Sequence, residues 1–302
     1  MPGDLILLTG PTAVGKTGLS INIAQNFGTE IVSADSRQIY RELNIGTAVP
    51  SNKKLATVKH HFIHSHSVFN NYNASIYESE ALKVLEKLFE KYKTVLMVGG
   101  SMLYIRAICE GIDYMPDVDK ELRNDLKKKM ETEGIESLRI MLKNIDPVYY
   151  RETDLKNPVR IIHALEISLM SGKPYSSFRS KSNKERPFRI IKIGLNRDRK
   201  ELHMRINKRV EKMIQSGLES EARHFYPYQH LNALNTLGYR ELFDYFDGKI
   251  SRDKAIELIK RNTRRYARKQ ITWFNKDTGI NWFHPDQEKD IMEFINNNIT
   301  GS

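Results

Sequence analysis

Cysteine occurs once in this chain, at Cys109, which excludes an internal disulfide and any zinc site built from several thiolates. Long apolar runs are missing too. No stretch approaches the roughly 18 unbroken apolar residues of a membrane-spanning helix, and Met1-Pro2-Gly3-Asp4 has neither the charged nor the apolar region of a signal peptide. The expectation is a soluble, cytoplasmic protein with no membrane partner. Acidic residues are in short supply, 37 against 48 Lys and Arg, which leaves a net charge of +11. What is present suffices for a core: 302 residues with 40% hydrophobic content suit one large or two modest domains.

The positive excess is unevenly placed. Between Arg252 and Lys276 stand nine basic residues (Arg252, Lys254, Lys260, Arg261, Arg264, Arg265, Arg268, Lys269 and Lys276) and two acidic ones, Asp253 and Glu257. A mononucleotide needs only a few cations, whereas a polyanion rewards many phosphate contacts through counterion release. Nucleic acid is therefore the leading partner, and a solvated helix face is the alternative.

The chain opens with an apolar run, Leu5-Ile6-Leu7-Leu8-Thr9, that leads into Gly10-Pro11-Thr12-Ala13-Val14-Gly15-Lys16-Thr17, a complete G-x-x-x-x-G-K-T phosphate cradle. Leu19 to Ala24 follow with apolar residues at helical spacing, so the glycines fall at a strand-to-helix turn, as the motif requires. Backbone N–H groups there point at phosphate oxygens, Lys16 adds a point charge, and the Thr17 hydroxyl can reach a magnesium ion. Together they describe a diphosphate site with Mg2+ as its cofactor.

Further β-type runs at Glu30–Ala34, Thr94–Val98 and Phe188–Leu195 are separated by helical stretches. Alternation of this kind predicts an α/β fold, a P-loop-type mainly parallel sheet flanked by helices, with ligands beyond the carboxyl ends of the strands. Three such ends carry polar groups: Thr9 to Thr17, Asp35-Ser36-Arg37-Gln38, and Gly99-Gly100-Ser101. From about Pro116 to Arg186 the β-type runs vanish, which predicts a helical insertion over 116–186 within a core made of 1–115 and 187–302. Pro174, Ser176, Ser177, Ser180 and Ser182 mark a loop before the chain returns to the sheet. Farther on, Leu202, Ile206, Val210, Met213 and Ile214 form an apolar stripe that stops near Gly217. In the basic segment Ile256, Ile259, Thr263, Tyr266, Gln270 and Trp273 read as a core stripe, with Arg261, Arg264, Arg265 and Arg268 on another side of the same helix. The residues from Asp286 onward carry no legible pattern.

A phosphate cradle alone fits kinases, nucleotide switches and several transferases. A hydrolytic nucleotide enzyme usually ends a buried strand with a magnesium-binding Asp, yet Val95–Val98 ends in Gly99-Gly100. Asp35 at the second strand end can serve as a general base, a metal ligand or a helix cap. The run His60-His61-Phe62-Ile63-His64-Ser65-His66, with no cysteine or carboxylate nearby in sequence, points away from zinc.

At this point the chain resembles the bacterial tRNA dimethylallyltransferases, also called tRNA isopentenyltransferases. The likeness lies in Gly10–Thr17, in Ser33-Ala34-Asp35-Ser36-Arg37-Gln38-Ile39-Tyr40, and in Ile45-Gly46-Thr47-Ala48. It continues in His60–Ile63, Gly99–Ile105, Arg160–Ile167, Leu237-Gly238-Tyr239-Arg240-Glu241 and Thr263–Phe274, and so covers nearly the whole chain. The resemblance implies that the cradle holds dimethylallyl diphosphate and that the prenyl group goes to the exocyclic amine (N6) of the adenosine 3′-adjacent to the tRNA anticodon. By this likeness Asp35 takes a proton from the amine or hydrogen-bonds it. Lys16 and Thr17 with magnesium offset the charge on the leaving group, and Arg205 and Arg209 reach the same diphosphate. Asp35, Ser36, Arg37, Gln38, Ser101, Arg123, Val159, Arg160, Ile161, Ile162, His163, Gly238, Tyr239 and Arg240 sit where the family contacts tRNA. Arg264 and Arg268 would hold its backbone, and the insertion would clasp the anticodon stem. The implied partners are the tRNA anticodon stem-loop and dimethylallyl diphosphate, bound by a monomer. Rival readings are prenylation of free adenine nucleotides and an ATP-dependent kinase or RNA-binding nucleotide switch.

The chain departs from the family's usual pattern at three places. His64 stands for an Asp, Ser101-Met102 for Thr-Gly, and Val159–His163 for Gln-Arg-x-x-Arg. The last removes one amide and one guanidinium, while Lys16 and Asp35 are untouched.

Overall fold

Strands that alternate with helices have one economical arrangement, a parallel sheet whose crossovers cover both faces. The computed structural model has that arrangement. It describes residues 3–113, 115–116, 119–179 and 184–299; Ser180 and Ser182 of the expected loop lie outside them. The chain separates into two compact units, Met1–Cys109 with Glu185–Ser302, and Glu110–Lys184.

In the larger unit the strands are β1 (Asp4–Thr9), β2 (Ile31–Ala34), β3 (His60–His61), β4 (Thr94–Gly99), β5 (Arg189–Leu195) and β6 (Asn281–Phe283). They pair in the order β3-β2-β4-β1-β5-β6, every pair parallel. Its helices are α1 (Lys16–Asn26), α2 (Asn52–Thr57), α3 (Ala74–Phe89) and α4 (Met102–Cys109), then α9 (Arg199–Gln215), α10 (Leu218–Phe225), α11 (Tyr239–Phe246), α12 (Arg252–Phe274) and α13 (Glu288–Asn298). β1 and β2 are wholly buried, which is why they read as unbroken apolar runs and not as alternating ones. From β1 the chain moves to one side of the sheet and from β5 to the other, so a crevice opens beyond their carboxyl ends.

β3 and β6 were not legible in the sequence, because two or three residues cannot show a period of two. Nor was α13, whose Ile291 and Ile295 are fully buried against the β1 side of the sheet's core among residues such as Ile6 and Leu8. The histidine run gains carboxylates from far along the chain. His61 meets Glu30 at 2.6 Å and His66 meets Glu80 at 3.2 Å. These are separate ion pairs.

The smaller unit holds α5 (Lys120–Glu133), α6 (Ile135–Ile145), α7 (Pro147–Glu152) and α8 (Pro158–Ser171), and it runs from Glu110 to Lys184 against the 116–186 read from the sequence. Leu126, Leu138, Leu142, Ile161, Ala164 and Leu165 form its own core. Buried Asp146 caps α7 through the Tyr149 amide at 2.9 Å and accepts from the Ser176 amide at 2.6 Å, tying the helix to the following turn. Among the described residues no helix is long and apolar enough to cross a membrane.

Candidate active site

Beyond the ends of β1, β2 and β4 lies a cleft of about 1070 Å³. Lys16, Arg37, Lys54, Arg205, Lys208, Arg209, Lys212, Arg240, Arg265 and Lys269 line it, and Asp35 is the one carboxylate among its lining residues. Ten cations around one anion make a site for a multiply charged ligand.

The cradle forms because β1 delivers the chain directly to the start of α1. Gly15 caps α1 at φ 121 with no side-chain bond to the first turn, so the helix N-terminus presents bare amides and the positive end of its dipole. Gly10 has φ 143, and a Cβ there would come within 2.5 Å of the Leu195 carbonyl oxygen of β5, so no other residue fits this strand neighbour. Lys16 Nζ donates to the carbonyls of Gly10 at 2.8 Å and Pro11 at 2.9 Å. Desolvation pushes the Lys16 pKa down to about 8; nearby Asp35 opposes the shift and Arg209 adds to it. Arg209 is also lowered by desolvation and held up by Asp35. Lys16, Asp35 and Arg209 therefore share one electrostatic neighbourhood.

Asp35 follows β2. Its Oδ1 accepts from the amides of Arg37 at 2.9 Å and Gln38 at 3.2 Å, which fixes the carboxylate in a tight turn. No helix follows Asp35, so its bonds close a turn and do not cap a helix, and they occupy one oxygen only. Ser101, at the end of β4, accepts from the Ser36 amide at 2.7 Å and donates to the Ser36 hydroxyl at 3.0 Å. Gln38 Nε2 donates to the carbonyls of Thr47 and Ala48, and Arg37 donates to the Ala233 carbonyl at 3.2 Å. The turn is braced from three sides.

Gln270 of α12 was assigned to a core stripe by periodicity, and the structure gives it a more specific place. Its Oε1 accepts from the Thr12 amide at 2.9 Å and its Nε2 donates to the Gly100 carbonyl at 2.8 Å, with the side chain buried. Gly100 makes room for it: a Cβ there would stand 2.5 Å from Gln270 Nε2. The Thr12 amide, which the cradle motif counts among its donors, is thereby bonded to Gln270. Thr263 and Tyr266 of the same stripe also face the cleft, where desolvation and then Asp35 push the Tyr266 phenol up to about 12, against Arg37.

Arg205 donates through Nε to the Ala13 carbonyl at 2.8 Å, and Arg197 to the Val14 carbonyl at 2.8 Å. Arg197 is further held by Glu201 at 2.5 Å and Asp286 at 2.8 Å. Sequence reasoning missed Arg197 although its own rule points there, because Asn196-Arg197 directly follow the end of β5.

Several expected tRNA contacts are placed otherwise. Tyr239 is fully buried and donates to Glu221, which also accepts from the Asn44, Ile45 and Gly46 amides; the tyrosine braces a cleft wall and has no exposed surface. Ile161 and Ile162 are buried in the smaller unit's core, so their side chains are closed to RNA, while Val159 is 73% exposed and Arg160 is exposed. Arg123 forms a two-armed bond with fully buried Glu166 at 2.5 and 2.7 Å, with His163 at 3.7 Å from the same carboxylate. Burial lowers the His163 pKa, with Glu166 opposing.

The charge of α12 is partly spent internally, on Glu219 by Arg252, on Glu257 by Lys254 and on Glu211 by Lys260. Arg264 donates to Asn207 at 2.6 Å, whereas Arg265, Arg268 and Lys269 are exposed. Gly238 and Arg240 line the cleft.

The chain is similar to known proteins over nearly its whole length. The profile of the family described as IPP transferase (IPPT) matches residues 38–277. A protein named tRNA dimethylallyltransferase 1 from Phocaeicola vulgatus is 55% identical over 295 residues, 98% of each chain, and one of the same name from Bacteroides fragilis is 54% identical with the same coverage. Among solved structures, the full-length tRNA isopentenylpyrophosphate transferase from Bacillus halodurans matches with TM-score 0.71 and 31% identity over 97% of this chain and 96% of that one. A eukaryotic dimethylallyltransferase acting on tRNA shares the fold, with TM-score 0.81 at 22% identity over 99% and 81% of the respective chains. With most of its length matched by the profile and more than half of its residues shared with such relatives, the chain belongs to the IPP transferase family.

Proposed function

We propose that this protein transfers the dimethylallyl group of dimethylallyl diphosphate to N6 of the adenosine 3′-adjacent to the anticodon in tRNA, giving isopentenyladenosine, as a monomer in the cytoplasm. The observation that carries the reading is one carboxylate set among ten cations beyond the β1 and β2 ends, in a chain of this family.

In the reaction the bond between the allylic carbon and the bridging oxygen breaks, a bond from that carbon to N6 forms, and the proton lost by N6 goes to Asp35 Oδ2. Diphosphate leaves into the cradle, where Lys16, Arg205, Arg209 and the α1 amides take up its growing charge, an effect typically worth several kcal/mol when the donors are preorganised. The residues suit a magnesium ion held jointly with substrate. Thr17 lines the cleft, and its hydroxyl would help to hold the ion there. When bound, the ion adds to the neutralisation of the leaving group. The direct test is mass analysis of nucleosides from unmodified tRNA incubated with the protein, dimethylallyl diphosphate and magnesium. Prenylated adenosine at the position beside the anticodon is expected. Phosphoryl transfer from ATP without prenylation, or faster turnover of AMP than of tRNA, would replace this reading with one of its rivals.

Lys16 makes diphosphate binding depend on pH. With its pKa at about 8, the cation is present below that value and lost as pH rises through it, so the contribution of Lys16 to affinity, read as wild type minus Lys16→Met, should be full near pH 7 and decline above 8. Titration calorimetry with pyrophosphate between pH 6.5 and 9.5 (roughly three decades of proton activity) checks the inflection, which Lys16→Met should abolish. For RNA, Arg268→Ala should weaken tRNA binding and reduce the salt slope by about one. An unchanged slope would assign Arg268 to a solvated face.

A further inference from the structure

The cleft residues contributed by α9 include both cations and apolar side chains. Arg205, Arg209 and Met213 are spaced i, i+4, i+8 and all line the cleft, so one helix face presents two cations and then a thioether. α12 lies antiparallel to it, a direction set by Asn207 meeting Arg264 at 2.6 Å and Glu211 meeting Lys260 at 2.6 Å. That pairing puts Arg205 level with Tyr266 near the cradle and Met213 level with Ile259 at the far end. There Val210, Leu218 and Ile259 are buried and Leu237 and Met213 half-buried, all of them lining the cleft, while Lys208 and Lys212 stay exposed at its rim.

From these positions we infer that Met213 closes the apolar end of the cleft and limits the donor to a five-carbon prenyl chain. The inference rests on the proposed use of the cradle for an allylic diphosphate. Arg209 and Met213 are four residues apart on α9, about 6 Å of rise. A diphosphate gripped at Arg205 and Arg209 therefore has room for a dimethylallyl tail before the chain meets Met213, and a ten-carbon tail overruns it. Methionine suits this task because an unbranched thioether packs against a branched methyl pair in several rotamers. Ile259 and Leu218 belong to the main core, and Met213 packs against that core.

The test uses wild type, Met213→Ala and Met213→Phe with unreactive thiolo analogues of dimethylallyl and geranyl diphosphate, together with inorganic pyrophosphate. Binding is measured by calorimetry, and transfer from both natural donors to an anticodon stem-loop RNA is followed in parallel. The wild type should favour the five-carbon analogue. Met213→Ala should move the ratio of geranyl to dimethylallyl affinity toward geranyl by roughly tenfold or more, the scale set by a few methylenes. Met213→Phe should move it the other way, and pyrophosphate affinity should stay within about twofold in all three. A ratio unmoved in both variants overturns the inference, as does a change confined to the KM for RNA, which would give the apolar end to the purine. Absence of transfer by the wild type with either donor would count against the proposed function, while the analogue affinities still report on Met213.

Discussion

Asp35→Asn is expected to lower turnover by about 10²–10⁴-fold, the usual contribution of a positioned base, with tRNA affinity within a few-fold of wild type. Asparagine keeps an Oδ1 that can accept from the Arg37 and Gln38 amides, so the turn after β2 survives the change. What is lost is the second oxygen and the charge. A further consequence follows from the neighbourhood: Asp35 holds up the pKa of Lys16, so its removal should move the pH inflection of pyrophosphate binding below about 8. Single-turnover rates at saturating RNA and donor, beside the calorimetric pH series, measure both effects. Turnover within tenfold of wild type would remove Asp35 from the chemistry.

Gln270→Leu should have the second-largest effect. Leucine fills most of the same space but makes neither the bond to the Thr12 amide nor that to the Gly100 carbonyl, both of which lie in the wall between the cradle and β4. The bond to the Gly100 carbonyl is buried, and a buried polar group left without a partner costs about 1–3 kcal/mol, a large share of a typical domain's stability. A lower melting temperature is expected, with a diphosphate KM raised at least tenfold because the loop that carries Ala13 to Lys16 loses its anchor. Gln270→Glu isolates the second bond. A carboxylate can still accept from Thr12 but has no donor for Gly100, and it adds a negative charge beside the phosphates. That variant should bind diphosphate more weakly than Gln270→Leu. If both variants keep a wild-type KM, the bridge is packing alone.

Most of the sheet was readable in advance because its central strands are buried on both faces and read as continuous apolar runs. The cradle was readable for a different reason. Its donors are backbone groups, and only the local order of glycines, Lys16 and Thr17 is needed to aim them. Periodicity failed where two kinds of surface share a helix. On α12 it grouped Gln270, Thr263 and Tyr266 with Ile259 because all four fall on one side, and a period cannot tell a core from a cleft wall.

The sequence alone determined that a phosphate cradle stands at the start of α1 and that a carboxylate follows the next strand, since both depend on neighbours along the chain. Only the folded structure decided which amides and cations remain available. Thr12 is claimed by a glutamine 258 residues away, Tyr239 and Glu221 turn inward to brace a loop, and Arg252, Lys254 and Lys260 are matched by glutamates. Such assignments are contacts between distant segments, made when helices pack on the sheet, and no local spacing encodes them.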